Sequence, residues 1–240
     1  ADLQIVAFPQ DCIFTRKGND RMLEEAVEKG CDVVGGLPYI ELSPEDGLRD
    51  VKYVFDLAEK YDRLIDIHCD ENTDDQSRYV EAIARETIVR DMQGRVSASH
   101  TTAMHNYNND FAQKLIGNLK RADLNIITNP FPNSCLQNRT DGYPRHRGHT
   151  RVDELAAAGV NVAAGSDDIM DPWYPMGKGS PLTVVNLLMN YAQMSGYDQI
   201  SYLFDMITHN GAKALGLKDY GIKPGNPADF IILDADSEFD

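Results

Sequence analysis

Basic residues are in short supply: 23 Lys and Arg stand against 38 Asp and Glu, a formal net charge of −15 over 240 residues. A surface so acidic repels phosphate backbones, which argues against nucleic acid as a partner. The four cysteines, Cys12, Cys31, Cys69 and Cys135, are far apart and form no C-x-x-C pair. That spacing excludes a disulfide framework or a structural zinc ribbon and suits reduced thiols in a cytoplasm. No apolar run approaches the length of a membrane span, and the segment from Ala1 to Gln10 has neither a basic leader nor a small-residue cleavage site. The expectation is a soluble, cytoplasmic chain. No glycine-rich phosphate-binding turn follows the first apolar strand, which weighs against a doubly wound nucleotide-binding sheet.

With 42% hydrophobic residues, the chain has material for one large buried core. One unit recurs. Apolar strands begin near Leu3, Asp32, Leu64, Arg95, Asn125 and Asn161, roughly 30 residues apart, each followed by a helical pattern. The helical apolar faces comprise Met22, Leu23, Ala26 and Val27, then Val51, Val54, Phe55 and Ala58, then Val80, Ile83 and Ala84. Gly30, Gly94 and Gly159 read as helix stops. Two further helices are predicted over Pro181 to Met194 and over Tyr202 to Leu215, the latter closed by Gly216.

Serial βα units predict an α/β fold of the (β/α)8 TIM-barrel type, with parallel strands whose carboxyl ends converge on one face. About six units are present where a barrel closes with eight, so the expectation is a barrel truncated at both ends, over residues 1–220. Residues 221–240 read as a turn-rich linker, Gly221 to Pro227, followed by a strand, Ala228 to Asp234, the first of a truncated C-terminal β-sandwich segment.

Three strands run into polar clusters: Leu64 to Ile67 into His68-Cys69-Asp70-Glu71, Val96 to Ser99 into His100, and Val160 to Ala164 into Gly165-Ser166-Asp167-Asp168. On a barrel these ends meet, and the pattern reads as a metallohydrolase. His68 and Asp167 are the candidate metal ligands. A divalent ion there would bring the pKa of a water to about 7. The two-residue period of a strand sends His68 and Cys69 to opposite sides, while Glu71, past the strand end, folds back as the proton carrier. His100 and Asp167 are further general-base candidates. His105, His146, His149 and His209 take ordinary structural roles: His146 and His149 in an exposed basic loop from Arg145 to Arg151, His209 packed in a helix. Cys69 reads as a small core residue, since no partner is placed to depress its pKa.

A resemblance then becomes specific. Phe8-Pro9-Gln10, Tyr61 through Glu71, Ser99-His100-Thr101-Thr102-Ala103-Met104-His105, Gly165 through Pro175 with its Asp-Asp-x-x-Asp-Pro-Trp string, and Asp219-Tyr220-Gly221-Ile222 resemble the bacterial cytosine deaminases of the amidohydrolase superfamily. The resemblance implies one divalent metal ion, iron or zinc, held by His68 and Asp167, with His100 beside the activated water and Glu71 as proton shuttle. It implies that Gln10 presents its amide to the ring carbonyl and ring nitrogen, that Asp168 lies against the base, and that Trp173 shapes the pocket wall. Attack of water at C4 of cytosine, with Glu71 protonating the ring nitrogen, would give uracil and ammonia, a step of pyrimidine salvage. A homo-oligomer is a family expectation. The chain departs from the pattern twice: no His-x-His motif occurs in its 240 residues, and Ser166 stands where a histidine is expected. Isoguanine, 5-methylcytosine, creatinine and triazine rings are alternative substrates using the same machinery, and a non-catalytic barrel fragment is the alternative from another class.

Overall fold

The computed structural model describes residues 3–237. Six parallel strands form one sheet: β1 (Val6–Ala7), β2 (Val33–Gly36), β3 (Leu64–Cys69), β4 (Val96–His100), β5 (Asn125–Thr128) and β6 (Asn161–Ala164). Between them lie α1 (Asn19–Glu28), α2 (Pro44–Tyr61), α3 (Tyr79–Val89), α4 (Asn109–Arg121), α5 (Pro130–Leu136) and α6 (Val152–Ala157), and after β6 come α7 (Pro181–Tyr191), α8 (Tyr197–Met206) and α9 (His209–Ala214). Each strand pairs with the next in sequence, in the order 1-2-3-4-5-6. A doubly wound sheet reverses direction at a switch point. This sheet never does, which makes it an arc of the expected barrel, with β1 and β6 as its edges.

The helices form where capping and apolar spacing agree. Ser43 accepts a hydrogen bond from Asp46 N at the start of α2, Pro44 occupies the first turn with Glu45 and Asp46, and Lys60 lies in the last turn, as the helix dipole favours. Asn108 caps α4 by accepting from Phe111 N. The faces of these helices bury Leu23 and Val27, then Val51, Val54, Phe55 and Ala58, then Val80, Ile83 and Ala84 against the sheet. Met22, expected with them, is 68% exposed, because the buried stripe of α1 runs through Leu23 and Val27 and leaves Met22 at its solvent border. Gly30 and Gly159 carry positive φ of 109° and 73°, the left-handed backbone that ends α1 and α6, whereas α3, expected to stop at Gly94, is already ended by Asp91 (φ 54°) just after its C-cap Arg90.

Two other expectations are corrected. The helix expected over Tyr202 to Leu215 is broken at Ile207 and Thr208, where Thr208 Oγ1 bonds back to Phe204 O and its backbone leaves the helical region (φ −125°, ψ −94°). The strand expected at Ala228–Asp234 does not form: no neighbouring strand offers it a ladder, and Phe230, Ile231 and Ile232 are exposed. The sequence beyond residue 237 lies outside the described residues. Among the described residues no helix is long and apolar enough to cross a membrane.

The end of β3 is tied to α3 by one buried carboxylate. Asp70 accepts from Ser77 Oγ (2.7 Å), Tyr79 N (3.0 Å) and Val80 N (2.9 Å), occupying the N-terminus of a helix that has no cap of its own. Replacing Asp70 by Ala would strand those donors without solvent. We predict that Asp70→Ala destabilises the chain by about 2–4 kcal/mol in urea unfolding and that Asp70→Asn, which keeps an acceptor, loses less.

Candidate active site

The alternation of β3 decides which side chains reach the site. Ile65, Ile67 and Cys69 face the helices and are fully buried, whereas Asp66 and His68 face the concave side and line a cavity of about 830 Å³. Register pairs His100 with Cys69, so an unbroken strand would turn His100 toward the helices as well. Instead His100 and Thr101 adopt positive φ (70° and 47°), and the imidazole swings back until its Nε2 lies 3.2 Å from His68 Nδ1. Asp70 and Asp167 share this left-handed backbone (φ 49° and 58°). Strained non-glycine residues, at about 1–3 kcal/mol each, persist where surrounding contacts over-determine them. Here Thr101 N bonds Cys69 O, Thr102 Oγ1 bonds the carbonyls of Asp70 and Asn72, and Thr101 Oγ1 bonds Thr150 Oγ1.

Glu71 folds back over this pair. Its Oε2 accepts from Tyr39 OH (2.9 Å), and its Oε1 accepts from Asn133 Nδ2 (3.2 Å) and lies 3.3 Å from His100 Nδ1. Asp167 Oδ2 lies 3.6 Å from His100 Nε2. Asp66 accepts from Ser99 Oγ (2.6 Å), and Phe8 packs on His68 with ring centres 4.4 Å apart. One donor atom each from His68, Glu71 and His100 falls within 4.8 Å of the others. Asp167, expected beside His68 as a ligand, stands next to that group rather than within it.

The electrostatics explain what such a cluster favours. Burial lowers His68 to about 4, with His100 adding to the effect, and burial lowers His100 to about 4, so both rings are neutral near pH 7. The carboxyls move the other way. Burial raises Glu71 and Asp66, and it lifts Asp167 to about 7 with help from Asp168 and Glu71. Asp168 also reaches about 7 through burial and the hydrogen bond to Asp171. Neutral imidazole nitrogens beside crowded carboxylates are the donor set of a divalent zinc or iron site, and a cation placed among them would reverse the upward shifts. The residues therefore fit the expected metal.

Gln10, Asp168 and Trp173 line the same cavity. Gln10 is exposed on a turn after β1, Trp173 is 45% exposed, and Asp168 is buried with its Oδ2 unpaired. Gly177 crosses the Asp168 backbone so closely that a Cβ there would lie 2.1 Å from Asp168 O, which fixes the loop behind the carboxylate. Tyr39, Asn133, Asp66 and Phe8 were not singled out from the sequence. Two had a signal: Asp66 lies two residues before His68 on the same strand face, and Tyr39 follows the end of β2. Asn133 sits in a short helix whose placement over His100 is a tertiary fact. Two histidines differ from expectation. His149 is buried, within 3.0 Å of Ser134 Oγ and 3.6 Å from the Tyr191 ring centre, because the loop folds inward at Gly148. His209 is exposed at the start of α9, edge-on to Tyr220.

A parallel arc with histidines and carboxylates gathered at its carboxyl strand ends places the candidate site where parallel barrel enzymes carry theirs. The chain belongs to the amidohydrolase family, whose model matches residues 2–239. It is similar in structure to a 5-methylcytosine deaminase from Klebsiella pneumoniae, solved with phosphonocytosine, with a TM-score of 0.97 and 44% identity over 99% of this chain and 58% of that one. It is also similar to the N-isopropylammelide isopropyl amidohydrolase of Pseudomonas sp. (strain ADP), 28% identical over 98% of this chain and 55% of that protein. A pterin deaminase of Rhizobium rhizogenes is 32% identical over 71% of this chain and 39% of its own length. The chain thus spans about half the length of these relatives, or less.

Because His68 and His100 are already neutral, the pH dependence of cation binding falls on Asp167 and Asp168. Both hold protons below about 7 that a cation must displace. Zinc or cobalt affinity, measured by titration calorimetry, should therefore rise from pH 6 to pH 8, by up to about tenfold per unit for each proton released. A flat profile would show that neither carboxyl takes part.

Proposed function

We propose that the chain hydrolyses the exocyclic amino group of a cytosine-type ring, cytosine or its 5-methyl derivative, releasing ammonia. The observation that carries this reading is Glu71, a largely buried carboxyl with both oxygens held, by Tyr39 and by Asn133, on the wall of a cavity that Asp168 also lines. His68 and Asp167 are the residues we assign to hold a divalent ion, with His100 and Glu71 beside them. When bound, such an ion supplies Lewis acidity and makes a water nucleophilic near neutral pH.

The chain's own residues do the rest. Glu71, its pKa raised by burial, is suited to carry one proton from the attacking water to the ring nitrogen and a second, released as the new C4 hydroxyl becomes a carbonyl, to the departing amine. Oxygen adds at C4, the bond from C4 to the exocyclic nitrogen breaks, and that nitrogen leaves as ammonia. Gln10 can donate and accept at once, which matches a ring carbonyl beside a ring N–H. Asp168, which lines the same cavity, offers its carboxylate to an N–H of the base. Trp173 and Phe8 supply flat apolar walls to the cavity. The 44% identical relative solved with phosphonocytosine supports a pyrimidine over the triazine derivative named for the Pseudomonas relative.

Ammonia release from cytosine, 5-methylcytosine, isoguanine and ammelide, by zinc- and iron-loaded protein, tests both substrate and shuttle. The expected order places cytosine and 5-methylcytosine first in kcat/KM, and Glu71→Gln should lower kcat by about 10²–10⁴. Faster turnover of ammelide or isoguanine would transfer the assignment to that ring class.

A further inference from the structure

Asn133 on α5 is wholly buried, and its amide nitrogen touches two groups at once. It lies 3.2 Å from Glu71 Oε1 and 3.0 Å from His100 Nδ1, while its amide oxygen is buried without a partner. Amide orientation and histidine tautomer follow from the hydrogen-bond network around them. An ionised carboxylate only accepts, so the amide atom facing Glu71 is the NH2. Rotating the amide would bring two acceptor oxygens to 3.2 Å. The same NH2 faces His100 Nδ1 at 3.0 Å, closer than Glu71 Oε1 at 3.3 Å, and two N–H groups at that separation would repel, which favours Nδ1 as the acceptor. A neutral imidazole has one N–H, so the proton lies on Nε2. On that side stand His68 Nδ1 at 3.2 Å, which accepts when the His68 proton is on Nε2, and the acceptor Asp167 Oδ2 at 3.6 Å. Asn129, whose amide lies 3.5 Å from Nε2, makes the weaker contact and can offer its oxygen by rotation.

We propose that Asn133 is a positioning residue that transmits the charge of Glu71 to His100 and holds His100 as the Nε2–H tautomer. His100 then turns an N–H, not a lone pair, toward the face it shares with His68 and Asp167. It serves there as a hydrogen-bond donor to a reacting oxygen and leaves the ligand role to its neighbours. Asn133 itself does not line the cavity, so it acts only through these two side chains. The assignment rests on the proposed hydrolysis for the identity of the reacting oxygen, but the tautomer does not.

Long-range ¹H–¹⁵N spectra of the metal-free chain near neutral pH, with His100 assigned through His100→Gln, should show Nε2–H. In Asn133→Leu the amide donor is gone and Glu71 Oε1, 3.3 Å from Nδ1, becomes its nearest acceptor, so the proton should move to Nδ1. In the metal-loaded variant kcat should fall about 10- to 100-fold with KM held within about twofold. An Nδ1–H tautomer in the unmodified chain overturns the proposal and needs no variant to fold; so does an unchanged His100 signal in folded Asn133→Leu. If the tautomer is as stated yet no amino-substituted ring is deaminated, the functional reading fails and this one stands. Deamination by a chain with Nδ1–H gives the converse.

Discussion

The site depends on how the chain leaves β3, and that exit is held by Asp70. Its carboxylate, fully buried, gathers the hydroxyl of Ser77, the first amides of α3 and the thiol of Cys69, while its carbonyl accepts from Ala103 N and Thr102 Oγ1 after β4. One residue thereby joins a strand, a helix and the neighbouring strand's loop. Four successive side chains take four directions as a result. His68 faces the cavity, Cys69 fills the core, Asp70 anchors the helix, and Glu71 returns over His68 and His100. A regular strand continued through Glu71 would alternate faces and could not place His68 and Glu71 around one point with this spacing.

Buried acids and histidines are expensive in isolation. The cluster spreads that cost over a network: Asp66 takes a hydroxyl from Ser99, Glu71 takes Tyr39 and Asn133, and His100 takes Asn133. Burial, reinforced by neighbouring carboxyls, pushes Asp167 and Asp168 up to about 7. A divalent cation satisfies this arrangement better than any single protein side chain, since it answers several carboxylates at once. The strained backbone at Asp70, His100 and Asp167 belongs to the same economy: each turn redirects a strand end toward a common centre, and its cost is carried by the packed loops behind it.

Much of the site was legible because parallel strands convert sequence position into spatial position. A histidine ending β3, another ending β4 and an aspartate following β6 must lie near one another once the strands run side by side. Glu71 followed from its place just past His68. Gln10, Asp168 and Trp173 were reached only through resemblance, and all three line the cavity. Asn133 and Tyr39 escaped because neither ends a strand: their reach to Glu71 depends on how a short helix and a single helical turn pack. His149 was misjudged from its basic neighbours, since charge in a loop does not reveal which of its residues turns inward.

The sequence by itself determined the six βα units, most of their helix stops, the acidic surface and the residue types at three strand ends. Local periodicity, turn chemistry and composition need no distant partner to act. Only the tertiary structure decided that His100 turns against the alternation of its strand, that Asn133 bridges Glu71 and His100, and that Asp70 caps α3 instead of entering the site. Those outcomes depend on backbone strain and on hydrogen bonds between residues dozens of positions apart, which no local pattern records.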